Sequence, residues 1–167
     1  MRPPRFLLIL LACASFGVSA EERPLLEVAR EIMLSARYCA LISIDVEGQP
    51  RARTVDPFEP GDNFVVWMAT RPVTRKVDQI RKNPKTTLYY WDSDASSYVT
   101  LMGTAELVDD EATLKAMRRE QDSERFYPDF PDDYLLIRFT PDYLEAIVPG
   151  YRGDRETWAP ARHEFSR

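Results

Sequence analysis

The sequence predicts a mainly β protein with flanking helices, a closed or split β-barrel of about six to seven mostly antiparallel strands. Three observations carry that prediction. Short β-prone runs recur between residues 39 and 148, bounded by Gly, Pro, Asp and Ser turn signals. The breaks between the early runs are only a few residues long, which suits antiparallel neighbours. The order reads helix, three strands, helix, two strands, helix, two strands, and that many short strands in one small domain close on themselves more readily than they lie flat.

Taken in order, residues 1–20 read as a secretory leader: "MRPPR" is basic, "FLLILLACASFGV" is apolar, and "VSA" precedes the acidic "EER", placing cleavage after Ala20. The apolar run is shorter than the roughly 20 residues that span a bilayer, and the mature chain, 21–167, holds no transmembrane segment. "LLAC" offers a minor alternative, lipoprotein anchoring through Cys13. A secreted or periplasmic protein is expected. "RPLLEVAREIMLSARY" places Leu25, Val28, Ala29, Ile32, Met33 and Ala36 at helical spacing. "CALISID" reads as a buried strand, "VEGQP" as a turn and "RARTVDPF" as a second strand; "EPGD" turns into a third, "NFVVWMAT".

In "RPVTRKVDQIRKNP", Val73, Val77 and Ile80 recur at i, i+4 and i+7, a short helix ending before Asn83-Pro84. "KTTLYYWD", the turn "SDAS" and "SYVTLMGTAELV" make a strand pair, with Gly103 marking a bulge or a close backbone approach. "DDEATLKAMRREQ" carries acids early and bases late, as a helix dipole favours. "DYLLIRFTPDYLEAIV" reads as two last strands bent at Pro141, and 148–167 as an irregular tail. Residues 21–167 make one domain.

The full chain has a net charge of −5, and removal of the leader takes Arg2 and Arg5 with it. This acidity argues against nucleic acid as a partner. Cleavage leaves Cys39 alone, so no intramolecular disulfide forms, and Cys39 reads as a small buried hydrophobe. With His163 the only histidine, a zinc cluster of His and Cys is excluded and no metal site is expected. His163 sits in a polar tail without a nucleophile-elbow pattern, and no residue stands out as catalytic.

One cluster runs against the acidic background. Arg75 and Lys76 occupy the first turn of the second helix, where the dipole disfavours bases unless an anion is present. A solvated basic face explains the same residues equally well, and it suits Arg81 and Lys82 at the helix end. Arg51 and Arg53 share one strand face; they either converge on the helix start or guard an exposed edge. Trp67, Tyr89, Tyr90, Trp91 and Tyr98 could wall a flat ring, although core packing is the commoner fate of strand aromatics.

"GQPRARTV", "FVVWMATRPVTRKVDQIRKNPKTTLYYW" and "YVTLMGTAELV", in this order and spacing, resemble the pyridoxamine 5′-phosphate oxidase-like superfamily of FMN-binding split β-barrels, and its general stress protein branch in particular. The resemblance covers roughly residues 25–148. It implies a homodimer with one FMN in each of two clefts at the subunit interface. It assigns Arg53, Thr54 and Val55 to a strand lining the flavin and reaching its phosphate. It sets Trp67, Met68 and Ala69 beside the ring system, Arg75 and Lys76 at the phosphate, and Tyr98 and Trp158 near the flavin. Phe58 stands where the true oxidase has a substrate-phosphate lysine, and the oxidase's C-terminal Arg/His signature is absent from "WAPARHEFSR", so vitamin B6 oxidation is not implied. The expectation is an exported FMN-binding flavoprotein moving electrons between FMN and a small substrate. The alternative is a non-catalytic binder of FMN or another anionic planar ligand such as haem.

Overall fold

A computed structural model describes residues 23–166; the leader, with Cys13 and its cleavage site, lies outside the described residues. Helix α1, Leu25–Ala36, follows Pro24 and buries Val28, Ala29, Ile32 and Met33. These four make one stripe, which packs on strands β4, Lys85–Asp92, and β5, Ser97–Val108. A fully buried side chain of this size stabilises by about 1.5–3 kcal/mol. Arg23 runs along the solvent side, bonded to Glu27 and Glu31.

Seven antiparallel strands form one sheet in the order β2-β1-β4-β5-β6-β3, with β7 added to β6. The remaining strands are β1, Cys39–Ile44; β2, Pro50–Val55; β3, Val66–Thr70; β6, Leu135–Ile147; and β7, Ala161–Glu164. After β2 the chain curls onto β3, with a Pro57–Met68 bridge and a hydrogen bond from Phe58 N–H to the Trp67 carbonyl (2.8 Å). The two ends of the sheet thus meet at one point and part elsewhere, which is a split barrel. Helix α2, Arg75–Lys82, lies against β1 and β5 through Val77 and Ile80. Leu41, Met68, Leu88, Leu101, Phe139 and Leu144 are at most 1% exposed and fill the barrel. A second cluster, Leu114, Tyr127, Tyr134 and Leu136, lies under helix α3, Glu111–Met117. Asp110 caps α3 by accepting the Thr113 N–H (2.9 Å).

The barrel, its helices and most turns follow the sequence prediction; four details differ. The third strand starts at Val66 rather than Asn63, because Asn63 and Phe64 adopt left-handed φ values of 51° and 58° in a short 3-10 turn. That turn drives the Phe64 ring into the core, while Arg30 lies over its face and donates to the Pro60 and Gly61 carbonyls. Val73 is 84% exposed and precedes α2 instead of joining its buried stripe, since the Pro72 turn delays the helix to Arg75.

The final two strands are one continuous strand, β6. Pro141 sits inside it opposite Gly103, where the register shifts, and a bulge accommodates the missing N–H. A side chain at Gly103 would stand 2.1 Å from the Thr140 carbonyl oxygen, which explains the glycine. The segment 148–167, expected to be irregular, contains β7. β3 covers only the first half of β6 and leaves the edge at Tyr143–Ala146 open for residues 161–164.

Candidate functional site

The site forms where the two ends of the sheet diverge. Arg53 projects from β2 beneath α2; its guanidinium donates to the Leu41 carbonyl (3.2 Å), to Ser43 Oγ (2.6 Å) and to Gln79 Oε1 (2.8 Å). Ser43 Oγ in turn donates to Gln79 Oε1 (2.7 Å). These partners are neutral, so they aim the charge without cancelling it. Lys76 approaches from the first turn of α2, with Nζ 3.3 Å from Thr74 Oγ1. Burial depresses the pKa of both bases: Arg53 is lowered further by repulsion from Arg75, and Lys76 by repulsion from Arg53.

Among the described residues, Arg53, Arg75 and Lys76 have no ion-pair partner, whereas Arg51 on the same strand pairs with Asp45 (2.5 Å). Thr74 precedes α2 with extended backbone, and its side chain caps no helix N–H; Thr74 Oγ1 donates instead to the Arg71 carbonyl (3.0 Å). Three clustered bases, two of them partly desolvated, at an uncapped helix start create a field that an anion would relieve.

A cleft of about 340 Å³ opens beside Lys76. Thr54, Val55 and Asp56 form one side of it and Ala69 and Thr70 another, while Arg71, Thr74 and Lys76 form the floor. The segment after α3 contributes Arg119, Gln121, Asp122, Phe126 and Tyr127. Of the residues singled out from the sequence, Thr54, Val55, Ala69 and Lys76 therefore share one cavity, with Arg53 close behind Lys76.

The others are dispersed within one chain. Arg75 turns toward a neighbouring groove of about 580 Å³ between α2 and the β1–β2 hairpin. The Met68 side chain is 1% exposed and belongs to the barrel core, so only its backbone can serve a ligand. Trp67 lies in another groove, its ring 5.8 Å from the Arg138 guanidinium. Tyr98 stacks obliquely on Tyr89 on the outer sheet face (5.6 Å). Trp158 is 71% exposed, on a loop in which Asp154 accepts the N–H groups of Glu156, Thr157 and Ala159. Those hydrogen bonds, led by the Thr157 hydroxyl, hold the Asp154 carboxyl far below the usual carboxylate range. Among the described residues no group of three or more His, Cys, Asp or Glu side chains is placed to hold a metal ion.

The wall after α3 escapes sequence reasoning. Arg119 grips Asp122 with a fork, Nε to Oδ2 at 3.1 Å and Nη2 to Oδ1 at 3.0 Å. It also reaches the Asp56 carboxylate (3.6 Å) and lies over the Phe58 ring (4.1 Å). Tyr134 completes the shell by donating to Asp122 Oδ2 (2.9 Å). Burial pushes the neighbouring Tyr127 phenol up to about 12, so it stays neutral at physiological pH. The i, i+3 spacing of Arg119 and Asp122 was the one available signal, but nothing in it indicated burial or Asp56 as a partner.

Residues 25–147 match the family model described as pyridoxamine 5′-phosphate oxidase. The chain belongs to that family. No curated protein matches the sequence significantly. Among solved structures, a protein related to general stress protein 26 from Clostridium acetobutylicum superposes with a TM-score of 0.68 at 20% identity, covering 81% of this chain and 90% of that one. A pyridoxamine 5′-phosphate oxidase-related, FMN-binding protein from Nostoc punctiforme gives 0.59 at 14% identity, covering 83% and 92%. A haem-binding protein from Mycobacterium smegmatis gives 0.61 at 21% identity, covering 75% and 55%. At these identities the likeness is one of fold.

Proposed function

We propose that this chain is an exported FMN-binding flavoprotein that works as a homodimer and transfers electrons between FMN and a small substrate. The observation that carries the proposal is the cluster of Arg53 on β2 with Lys76 and Arg75 at the start of α2, none of which has an ion-pair partner among the described residues; such a cluster fits the phosphate of FMN. Lys76 would hold that phosphate from inside the cleft, Arg53 would reinforce it from behind, and Arg75 would turn in from the neighbouring groove. Thr54, Val55 and Ala69 would line the cofactor, and backbone groups around Trp67–Ala69 would orient its ring. The Trp67 carbonyl is already engaged by Phe58, so other backbone groups there are the available ones.

FMN, when bound, supplies the electron transfer; the protein contributes binding, orientation and electrostatics. Thr54, Thr70 and Tyr127, all neutral, line the same space, so a partner molecule can be held there without added charge. Phe58 offers no positive charge, and its ring is covered by Arg119, which supports a substrate other than a B6 vitamer. The apolar outer face of β1, β4 and β5, with Ile42, Tyr89, Trp91 and Tyr98 only half-buried, is the proposed dimer surface. It would bring Tyr98 near the flavin, and Trp158 is assigned to the same interface.

A second reading, a carrier of FMN or of another anionic planar ligand such as haem, rests on the same bases, because they recognise an anion rather than a particular ring. The visible spectrum of protein purified from its native compartment separates the two ligands. Flavin bands that bleach with a nicotinamide donor and return with an acceptor support the oxidoreductase; a Soret band supports haem. Colourless protein that fails to bind added FMN would overturn the cofactor assignment.

A further inference from the structure

Arg71 and Asp133 form an ion pair that is incomplete on both sides. Arg71 lies between β3 and α2, and its carbonyl accepts the N–H (3.2 Å) and the hydroxyl (3.0 Å) of Thr74. Its backbone is therefore fixed to the start of α2, while its side chain is half-exposed and lines the cleft with Thr74 and Lys76. The opposite charge, Asp133, is only 9% exposed, and neither of its carboxylate oxygens has a hydrogen-bond partner among the described residues. Its compensation is Arg71 Nη2, 3.7 Å from Oδ2, beyond hydrogen-bonding range. Buried carboxylates are ordinarily satisfied by several hydrogen bonds; this one is balanced by charge alone.

Arg119, the other arginine on the cleft wall, differs in kind. Its guanidinium is saturated by Asp122, by the carbonyls of Asp56 and Pro57, and by the Phe58 ring. It has no freedom to turn toward a ligand. Arg71 is close to the same cavity, tethered at its backbone and held by no directional bond.

We propose that Arg71 is a fourth base of the anion site, kept in reserve by Asp133 and transferred from that carboxylate to the phosphate of an arriving ligand. This rests on the reading of the cleft as a phosphate site and adds a residue and a selection rule to it. Transfer leaves Asp133 buried with no opposite charge beside it, so it is favourable only for a strongly charged ligand. A phosphate monoester, with a charge of roughly −1.5 to −2 near neutrality, meets that threshold better than a carboxylate with one charge. Asp133 thus acts as the element that rejects weaker anions.

Intact protein can be titrated with FMN by flavin fluorescence, and with inorganic phosphate and acetate by calorimetry. Arg71→Gln should weaken FMN and phosphate about three- to tenfold, a range set by charged hydrogen bonds at partly exposed sites, and leave riboflavin unchanged. Asp133→Asn, which keeps the side-chain shape, should tighten phosphate by a similar factor and narrow its advantage over acetate. In the Arg71→Gln background, Asp133→Asn should have no further effect. Asp133→Ser serves the same comparison if the asparagine variant does not fold. Unchanged FMN and phosphate binding in Arg71→Gln, or a tightening by Asp133→Asn that persists without Arg71, would overturn the proposal. Lys76→Ala tests the underlying cleft separately: insensitivity there removes the anion site itself, whereas a sensitive Lys76 with an indifferent Arg71 removes only the fourth base.

Discussion

Arg53 and Lys76 lie close enough to repel one another, and each is partly desolvated. Their neutral partners, Ser43, Gln79 and Thr74, leave the repulsion in place, so the free protein holds unfavourable positive charge that an anion would offset. Arg75→Ala with Lys76→Ala should therefore weaken FMN far more than riboflavin, by about tenfold or more for the loss of charge-assisted contacts. Equal losses for the two flavins, measured by fluorescence titration, would show that these bases do not hold the phosphate.

A pH dependence follows from the same pair. Lys76 can attract an anion only when protonated, and its pKa in the free protein lies below the ordinary lysine value. FMN affinity should be full between the second pKa of the phosphate, about 6, and that depressed lysine pKa, and fall as pH rises through the latter, with proton uptake on binding in the alkaline range. Calorimetry in two buffers of different ionisation enthalpy reads the uptake, and uptake equal to zero throughout would contradict it. The sequence pointed to Arg75 and Lys76 through their unfavourable place on a helix. It could not give the partners of Arg53, because Ser43 and Gln79 come from a different strand and a helix. Nor could it reveal Asp133, whose significance is its burial.

At the level of elements, α2 and the β5–β6 pairing organise the site and the barrel. The neighbouring backbone fills the space at Gly103: an added Cβ would stand 2.1 Å from the Thr140 oxygen and 2.7 Å from Pro141 Cα. Gly103→Ala should lower stability by about 3 kcal/mol through backbone displacement and overpacking, read from the urea midpoint. A change below about 0.5 kcal/mol, the usual range of harmless surface substitutions, would mean that β6 shifts freely at its bulge. Gly103 was visible in the sequence as a strand interruption, and so was Pro141. What remained hidden was that each explains the other, since register between strands is a tertiary property. β7 was hidden for a related reason: four residues of "ARHE" have no strong strand signal, and they pair because β6 offers an open edge.

Across the whole molecule, the outer sheet face departs from the alternation of a solvated antiparallel sheet, where outward residues are polar. Here Ile42, Tyr89, Trp91 and Tyr98 point outward, and Trp91 is 50% exposed. If two copies cover this face, sedimentation velocity will give a dimer, and Ile42→Glu with Trp91→Glu will give a folded monomer with weakened FMN binding. A wild-type monomer at every accessible concentration would remove the interface.

By itself the sequence determined the barrel class, its helices and the base pair at α2, because hydrophobic period, turn residues and helix polarity are local properties. Only the tertiary structure decided which charges lack partners. Among the described residues it left Arg53, Arg75 and Lys76 without an ion-pair partner, saturated Arg119, and set Arg71 against a buried carboxylate. An ion pair depends on distance and desolvation between segments far apart in the chain, and neither can be read from the order of the residues.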